Sequence, residues 1–223
     1  VDDPGLLDFD MLQTGHMDGR ANTVDSLTES LELEPKMPVL IAEVGYEGIL
    51  ESNREEFQRF FFWSSMLSGA MGFTYGANGI WQINQCGQPF GPSPHGNEWG
   101  DLPWEDAYLL PGSGQVGLGK RLLQRYPWWA FEPHPEWVEP HQSPENRLEP
   151  YAGGIPGQVR IVYLPFPRSG DVRLRQLETG VKHRCFFFDP KSGAEVDRGQ
   201  VEADDQGDFG VQRPSMWRDW ILV

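Results

Sequence analysis

Three apolar runs in the first half of the chain, residues 6–13, 39–42 and 72–82, alternate with segments of helical spacing. Val24, Leu27 and Leu31 fall on one face of a helix that we expect Asn22-Thr23 to cap. We expect a second helix to begin at a capping box of Ser52 and Glu55, to carry apolar residues around most of its circumference and to end near residue 67. This order of elements predicts about three βα units with parallel strands.

From about residue 145 the pattern changes to short strand-like runs separated by turns. The runs are residues 159–164, 172–177, 184–188 and 217–223, and they predict a small antiparallel β-sandwich. An aromatic, proline-rich connector precedes them. We therefore expect a domain at 1–144, which includes the connector, and a β-sandwich domain at 145–223.

Composition excludes several classes of protein. The formal net charge is −15, and no cluster of Lys and Arg could neutralise phosphates, so we expect no nucleic acid or anionic membrane as partner. No run reaches the length of a membrane span. Cys86 and Cys185 match no metal-ligand spacing. The first residue is Val and follows no signal-peptide pattern, so we expect a piece of something longer or a processed product.

Glu43 is the first candidate for chemistry, because it directly follows the apolar run at 39–42. A carboxylate is costly to bury, so its position at the end of a buried strand needs a reason. One alternative is a loop Glu that turns to water or pairs with an Arg. The other is a catalytic carboxylate at the C-terminal end of a barrel strand, where active sites of TIM barrels lie.

Seven further residues lie at or just after the ends of the predicted βα strands. Together with Glu43 they form a carbohydrate-binding set of carboxylates, amides, a His and aromatic rings: Gln13, His16, Tyr46, Glu47, Tyr75, Asn78 and Trp81. Each also has a structural alternative. His16 could be a structural histidine, Tyr75 and Trp81 could be core or rim packing, and Glu47 could bind a backbone amide. The loop at 84–103 holds His95 and Trp99, which we expect at the rim of a site.

Other chemistries lack support in the sequence. There is no Gly-x-Ser-x-Gly elbow for a serine hydrolase and no His-Glu-x-x-His zinc motif. His134 and His141 flank two Glu residues in the connector, but the prolines there predict a surface loop. Residues 204–208 have the composition of a calcium loop without its spacing, so a turn between strands is the better interpretation. We expect no metal and no cofactor.

Three motifs resemble the apiosidase-like glycoside hydrolases: Gln13-Thr-Gly-His16, Glu43-Val-Gly-Tyr46-Glu47-Gly48 and Tyr75-Gly-Ala-Asn78-Gly-Ile-Trp81. That family has a TIM (β/α)8 barrel followed by a small β-sandwich of the collagen-binding type. The segments at 162–165, 188–193 and 219–223 resemble that second domain.

The resemblance implies that this chain is the C-terminal portion of a retaining glycosidase, with barrel strands six to eight. Glu43 would then end strand seven as the nucleophile, with Tyr75 orienting it and Trp81 as a sugar platform. The acid/base at the end of strand four would precede Val1. Phe73 stands where the family usually has His, a difference that would alter the inner wall of the pocket.

The resemblance also implies a plant-type polysaccharide side chain as the carbohydrate substrate, and export from the cell, to the outside or the periplasm. Three βα units cannot close an eight-stranded barrel, so we expect a need for the N-terminal barrel half and no activity from this chain alone. Two alternatives stay open: a non-catalytic carbohydrate- or matrix-binding protein with a decayed barrel, and a fragment without autonomous function.

Overall fold

The structure is a computed structural model that describes residues 4–16, 19–88, 99–165, 171–214 and 218–223. It mixes helices and strands, and its contacts divide it into two compact units. The first unit comprises Val1–Ser65 and Ala70–Gly117, and the second comprises Met66–Gly69 and Leu118–Val223.

The first unit contains a parallel three-stranded sheet with helical connections. Strands β1 (Asp10–Gln13), β2 (Val39–Glu43) and β3 (Gly72–Phe73) lie in the order β1-β2-β3, with α1 (Gly19–Leu31) and α2 (Glu55–Leu67) between them. Short 3₁₀ helices lie at Pro4–Leu6 and Ile49–Glu51, and α3 (Trp104–Ala107) and α4 (Pro111–Leu123) follow the sheet. Strands β1 and β3 are shorter than their apolar runs, whereas β2 extends one residue beyond its run, to Glu43. The parallel βα pattern expected from the sequence is observed here.

The starts of the helices differ from the expectations. Helix α1 begins at Gly19, so Asn22 and Thr23 lie inside it and do not cap it. Ser52 forms no capping box, since α2 begins at Glu55 and the Ser52 hydroxyl donates to the Ile49 carbonyl oxygen at 2.8 Å. The reason is backbone conformation: Asn53 has φ of 49°, a left-handed value that no first turn of a helix can contain.

Helix α2 is apolar around most of its circumference, as its sequence predicts. The buried members are Phe60, Phe61, Phe62, Trp63 and Leu67, of which Trp63 has no exposed surface. Even the polar Gln58 is buried, and its side-chain amide donates to the Gly45 carbonyl oxygen at 2.7 Å. The helix therefore fixes the loop that follows β2.

Among its described residues, the second unit contains nine strands and two 3₁₀ helices. The helices are Trp128–Ala130 and Pro135–Trp137. In chain order the strands are β4 (Glu132–Pro133), β5 (Val138–Glu139), β6 (Tyr151–Ile155), β7 (Val159–Leu164), β8 (Val172–Leu174), β9 (Lys182–Phe188), β10 (Glu195–Glu202), β11 (Phe209–Val211) and β12 (Trp220–Leu222). They form a six-stranded sheet, β10-β9-β12-β7-β6-β4, and a three-stranded sheet, β11-β8-β5. All pairings in both sheets are antiparallel.

Buried side chains from both sheets form one hydrophobic cluster. They include Val138, Val162, Leu174, Phe187 and Trp220. Strand β7 coincides with its predicted run, and β8, β9 and β12 lie within or overlap theirs, although residue 217 is outside the described part of the chain. Strands β6, β10 and β11 were not expected from the pattern.

The domain boundary predicted from the sequence, at 144/145, does not coincide with the division into two compact units. Contacts group residues 118–144 with the β-rich unit, whereas the sequence division at 144/145 stays a prediction. Among the described residues no helix is long and apolar enough to cross a membrane.

Candidate active site

Glu43 is the last residue of β2 and lies beside Gln13, the last residue of β1. The two residues are partners in the parallel register, and the Thr14 amide donates to the Glu43 carbonyl oxygen at 2.9 Å. Because parallel strands end at the same edge of the sheet, the loops after β1 and β2 bring their side chains together there.

Three side chains hold the Glu43 carboxylate. The Gln13 amide donates to Oε2 at 3.2 Å, the Tyr46 hydroxyl donates to Oε2 at 3.1 Å, and His16 Nε2 lies 3.1 Å from Oε1. The Glu43 side chain is nevertheless 23% exposed. Of the two alternatives left open, a water-facing Glu and an Arg pair, neither describes this environment: its partners in the described part of the chain are an amide, a phenol and an imidazole.

Tyr46 is a fixed donor to this carboxylate. Burial, and then the negative charge of Glu43 and the hydrogen bond to it, raise the pKa of Tyr46 to about 12. Its hydroxyl therefore stays protonated over the range in which proteins function. The Tyr46 ring packs against the His16 ring at 4.3 Å between centroids. The two rings therefore hold each other in position beside Glu43.

The loop that carries His16 is held in place by contacts with Asn53 and Trp99. Asn53 is buried and its side-chain amide donates to the His16 carbonyl oxygen at 3.1 Å. The Trp99 ring meets the His16 ring edge-on at 5.5 Å. His95, expected at the same rim, lies outside the described residues.

Glu47 has the opposite environment, although it follows Glu43 by only four residues. It is 2% exposed. Its carboxylate accepts the Tyr75 hydroxyl at 2.6 Å and the Gly112 amide at 2.9 Å. Burial raises the pKa of Glu47, although these two hydrogen bonds act in the other direction. This Glu makes the backbone contact that was one of its alternatives.

Gly112 is the second residue of α4, which begins at Pro111. The first amides of a helix have no partner within the helix, so a carboxylate there is favourable. Proline is common at the first position of a helix, so Pro111 is a sequence signal that could have located the amide donor for Glu47.

Tyr75 differs from its expected role. Its hydroxyl donates to Glu47, so the expectation that Tyr75 orients Glu43 is wrong, and Tyr46 has that contact instead. Tyr75 comes two residues after the short β3, in a loop parallel to that of Glu47: the Glu47 amide donates to the Gly76 carbonyl oxygen at 3.0 Å. This loop pairing directs Tyr75 to Glu47.

Asn78 and Trp81 lie further along the same loop. Asn78 is 2% exposed, and its side-chain amide donates to the Trp99 carbonyl oxygen at 2.8 Å. Trp81 is 53% exposed, so its ring is available to a ligand. Of the eight predicted residues, the structure brings four together, Gln13, His16, Glu43 and Tyr46, and gives Glu47, Tyr75 and Asn78 internal partners.

The alternative sites in the sequence have structural explanations. His134 stacks on Trp137 at 3.8 Å and lies 2.8 Å from Glu136. Asp204 accepts the amides of Gln206 and Asp208, each at 2.9 Å, which stabilises a turn. Within the described ranges no three His, Cys, Asp or Glu side chains come close enough to hold a metal ion.

A family model and two solved structures match this chain. A family model described as "Apiosidase-like, catalytic domain" matches residues 1–130. A structure described as a glycoside hydrolase is similar with a TM-score of 0.81 at 22% identity, covering 100% of this chain and 53% of its own. A crystal structure of a glycoside hydrolase family 5 protein from Bacteroides vulgatus ATCC 8482 has a TM-score of 0.82 at 21% identity, covering 99% and 51%.

The two structural matches show that this chain shares the fold of part of each solved structure. The family model shows to which family the chain is related. None of the curated proteins compared with the chain matches it. The chain spans about half the length of both solved structures.

Proposed function

The chain belongs to the apiosidase-like family of glycoside hydrolases, and from that premise we propose that it is the C-terminal portion of a retaining glycosidase. Its substrate would be a side chain of a plant-type polysaccharide, and Glu43 would be the nucleophile. The observation that carries the proposal is the Glu43 carboxylate, partly exposed at a strand end and held by Gln13, His16 and Tyr46.

In a retaining reaction Glu43 attacks the anomeric carbon while a second carboxyl protonates the departing oxygen. Water then cleaves the glycosyl-enzyme ester, and the second carboxyl takes the proton from that water. The two carboxyl groups lie about 5–5.5 Å apart in such enzymes. Glu47 is unsuited as the second group because its carboxylate is buried on Tyr75 and Gly112. We place the acid/base on a fourth barrel strand, upstream of this chain.

The other site residues divide by exposure. Trp81 is exposed, which supports a role as a platform for the apolar face of a sugar ring. Gln13, His16 and Tyr46 would position the nucleophile and reach the sugar hydroxyls beside it. Glu47, Tyr75 and Asn78, first proposed as substrate contacts, are better supported as residues that hold the loops after β2 and β3.

The fold proposed for the whole protein is a TIM (β/α)8 barrel with a following β-sandwich. The parallel order β1-β2-β3 supports strands six to eight of the barrel. The single hydrophobic cluster shared by two antiparallel sheets supports the sandwich. The half-length coverage of the solved structures supports an N-terminal barrel half as the missing partner.

The test is a Glu43→Gln exchange in the full-length protein, assayed on plant pectic oligosaccharides. We expect loss of turnover by at least about 10⁴-fold, the order seen when a covalent nucleophile is removed, with glycan binding retained. Glu105→Gln, on the exposed face of α3, is the matched control and should leave turnover unchanged.

Two results would contradict the proposal. Turnover by Glu43→Gln above about a tenth of the wild-type rate would remove Glu43 from the chemistry. Binding without turnover by the unmodified full-length protein on every glycan tested would favour the non-catalytic carbohydrate-binding alternative.

A further inference from the structure

The segment at 48–53, which includes a short 3₁₀ helix, has an unusual backbone. Leu50, Glu51 and Asn53 have positive φ angles of 49°, 57° and 49°. A left-handed conformation is strained for Leu and Glu and is better tolerated by Asn. Such strain persists only where the surrounding structure enforces it, and it is concentrated at functional sites. The segment therefore needs a functional explanation.

Two backbone amides of this segment bind residues of the candidate active site. The Ile49 amide donates to the Tyr46 carbonyl oxygen at 3.3 Å, and the Leu50 amide donates to the Trp99 carbonyl oxygen at 3.4 Å. Both acceptors belong to residues whose rings contact the His16 ring. The conformation of the segment thus helps to place both of these rings.

The Asn53 side chain extends from the same segment to the backbone of His16. Asn53 is 5% exposed, and its side-chain amide donates to the His16 carbonyl oxygen at 3.1 Å. A Cβ at Gly45 would lie 2.3 Å from Asn53 Nδ2, so this amide also packs directly against the backbone two residues after Glu43. Asn53 therefore joins the loop that follows β1 to the loop that follows β2.

The His16 ring depends on this support because one of its nitrogens has no partner. Nε2 lies 3.1 Å from Glu43 Oε1, and a carboxylate only accepts hydrogen bonds, so Nε2 carries the hydrogen. Nδ1 is buried and finds no hydrogen-bond partner within the described ranges. A hydrogen bond at the second nitrogen is the usual means of fixing a histidine ring. Here the ring is oriented instead by packing on Tyr46 and Trp99 and by the position of its own backbone.

We propose that Asn53 is a positioning residue for the reaction. Its amide holds the His16 backbone, and the Nε2–H of His16 in turn holds the Glu43 carboxylate in the orientation that reacts. This role rests on the proposed function, in which Glu43 is the nucleophile. The left-handed backbone of the segment directs the Asn53 amide to the His16 carbonyl oxygen, which explains why the strain is retained.

The test is Asn53→Gly in the full-length protein, since glycine adopts a left-handed backbone without strain and removes only the side chain. We expect kcat on plant pectic oligosaccharides to fall at least about tenfold, with KM changed by less than about threefold, because a displaced nucleophile affects the transition state more than substrate binding. Asn53→Asp keeps the shape of the side chain but lacks the amide donor, so it should lose kcat similarly.

Glu51→Gly is the matched control. Residue 51 is also left-handed and its side chain is exposed, so the exchange relieves the same kind of backbone strain without removing the Asn53 amide. We expect kcat within about twofold of wild type for this variant. Circular dichroism verifies that all three variants are folded. Equal kcat values for Asn53→Gly and Glu51→Gly would overturn the role of Asn53 in the reaction.

A second measurement does not depend on turnover. In NMR spectra of the full-length protein with isotopically labelled histidine, the hydrogen bond to Glu43 should protect the His16 Nε2–H from exchange with water, and His16→Gln assigns its signal. We expect this signal to weaken or disappear in both Asn53 variants and to persist in Glu51→Gly. Its loss would support the hold on His16 even if Glu43→Gln retained turnover. Its persistence in both Asn53 variants would overturn the proposal even if Glu43 is the nucleophile.

Discussion

At the scale of single residues, two carboxylates four positions apart illustrate how environment separates their roles. Glu43 keeps a partly exposed carboxylate among three side-chain donors, whereas Glu47 is withdrawn from solvent onto a hydroxyl and a helix N-terminus. Exposure is a requirement for a nucleophile, since it must reach a substrate atom. Withdrawal suits a residue that fixes a loop.

Tyr46→Phe tests the hold on Glu43, the proposed nucleophile. The exchange removes one donor to Glu43 and keeps the ring that packs on His16. A hydrogen bond to a charged group contributes about 1.5–3 kcal/mol, so we expect kcat of the full-length enzyme to fall roughly 10- to 150-fold. Tyr108→Phe, on an exposed ring, is the control. An unchanged kcat for Tyr46→Phe would show that this contact does not matter to the reaction.

Glu47→Gln tests the buried carboxyl through the pH dependence of stability. Because the pKa of Glu47 is raised from 4.5, the folded state favours the protonated form. The stability linked to Glu47 is therefore complete below about pH 4.5 and is lost as the pH rises through the raised pKa.

The Glu47→Gln variant does not titrate at this position, so its stability relative to wild type should increase with pH. Urea unfolding of both chains at about pH 4 and about pH 8 measures the difference. A difference that stays constant between these values would mean that the carboxyl titrates as in the unfolded chain.

The residues around Glu43 were largely predictable, and those around Glu47 were not. A carboxylate after a buried strand and polar residues at neighbouring strand ends identify Glu43, Gln13, His16 and Tyr46 as a group. The partner of Glu47 is Gly112, which lies 65 positions away. Pro111 is a local signal for the start of that helix, but which carboxylate reaches its first amides depends on how the distant helix packs, and no local pattern encodes that.

At the scale of elements, the loops after β2 and β3 pack so closely that one glycine controls the Tyr46 ring. A Cβ at Gly76 would lie 2.4 Å from Tyr46 Cδ1 and 2.5 Å from Cε1. The ring would have to move, and its hydroxyl would move away from Glu43.

We therefore expect Gly76→Ala to destabilise the first unit by about 1–3 kcal/mol and to lower kcat of the full-length enzyme, although the added methyl group needs no contact with substrate. Gly114→Ala is the control, since a Cβ there meets nothing within 4 Å in helix α4. Replacing a helical glycine by alanine should stabilise by about 0.5–1 kcal/mol. Unfolding free energies and kcat measured on both variants separate the strain at position 76 from the general effect of replacing glycine by alanine. Equal changes in the two variants would contradict the packing argument.

The elements that the sequence predicted best are those with the strongest apolar pattern. Strand β7 and the end of helix α2 follow directly from it. Strand β10 was missed because it is a polar, nearly fully exposed edge strand, and β6 because two of its five residues are glycine. Edge strands are stabilised by backbone pairing on one side and need no apolar face.

At the scale of the whole molecule, the parallel sheet ends in an edge that exposes apolar residues. Strand β1 pairs with β2 alone among the described strands, and Met11 on it is 61% exposed, with Phe9 at 43% just before it. Such an edge favours association with another chain. In the proposed barrel it is the place for strand five.

Accordingly, we expect no glycosidase activity from the purified 223-residue chain on pectic oligosaccharides. Mixing it with the separately produced N-terminal half should restore turnover, and Met11→Glu should weaken that restoration because it places a charge at the joined edge. Measurable turnover by the chain alone would show that its site needs no second half.

The two cysteines differ in exposure, so the rates at which they are chemically modified can report on local opening of the chain. Cys86 is exposed in the first unit, and Cys185 is buried in the second, where burial also raises the pKa of its thiol. A thiol reagent added to the native chain should modify the first at once and the second only as fast as the β-rich unit opens. The delay between the two modifications would measure how fast the β-rich unit opens, without any engineered label.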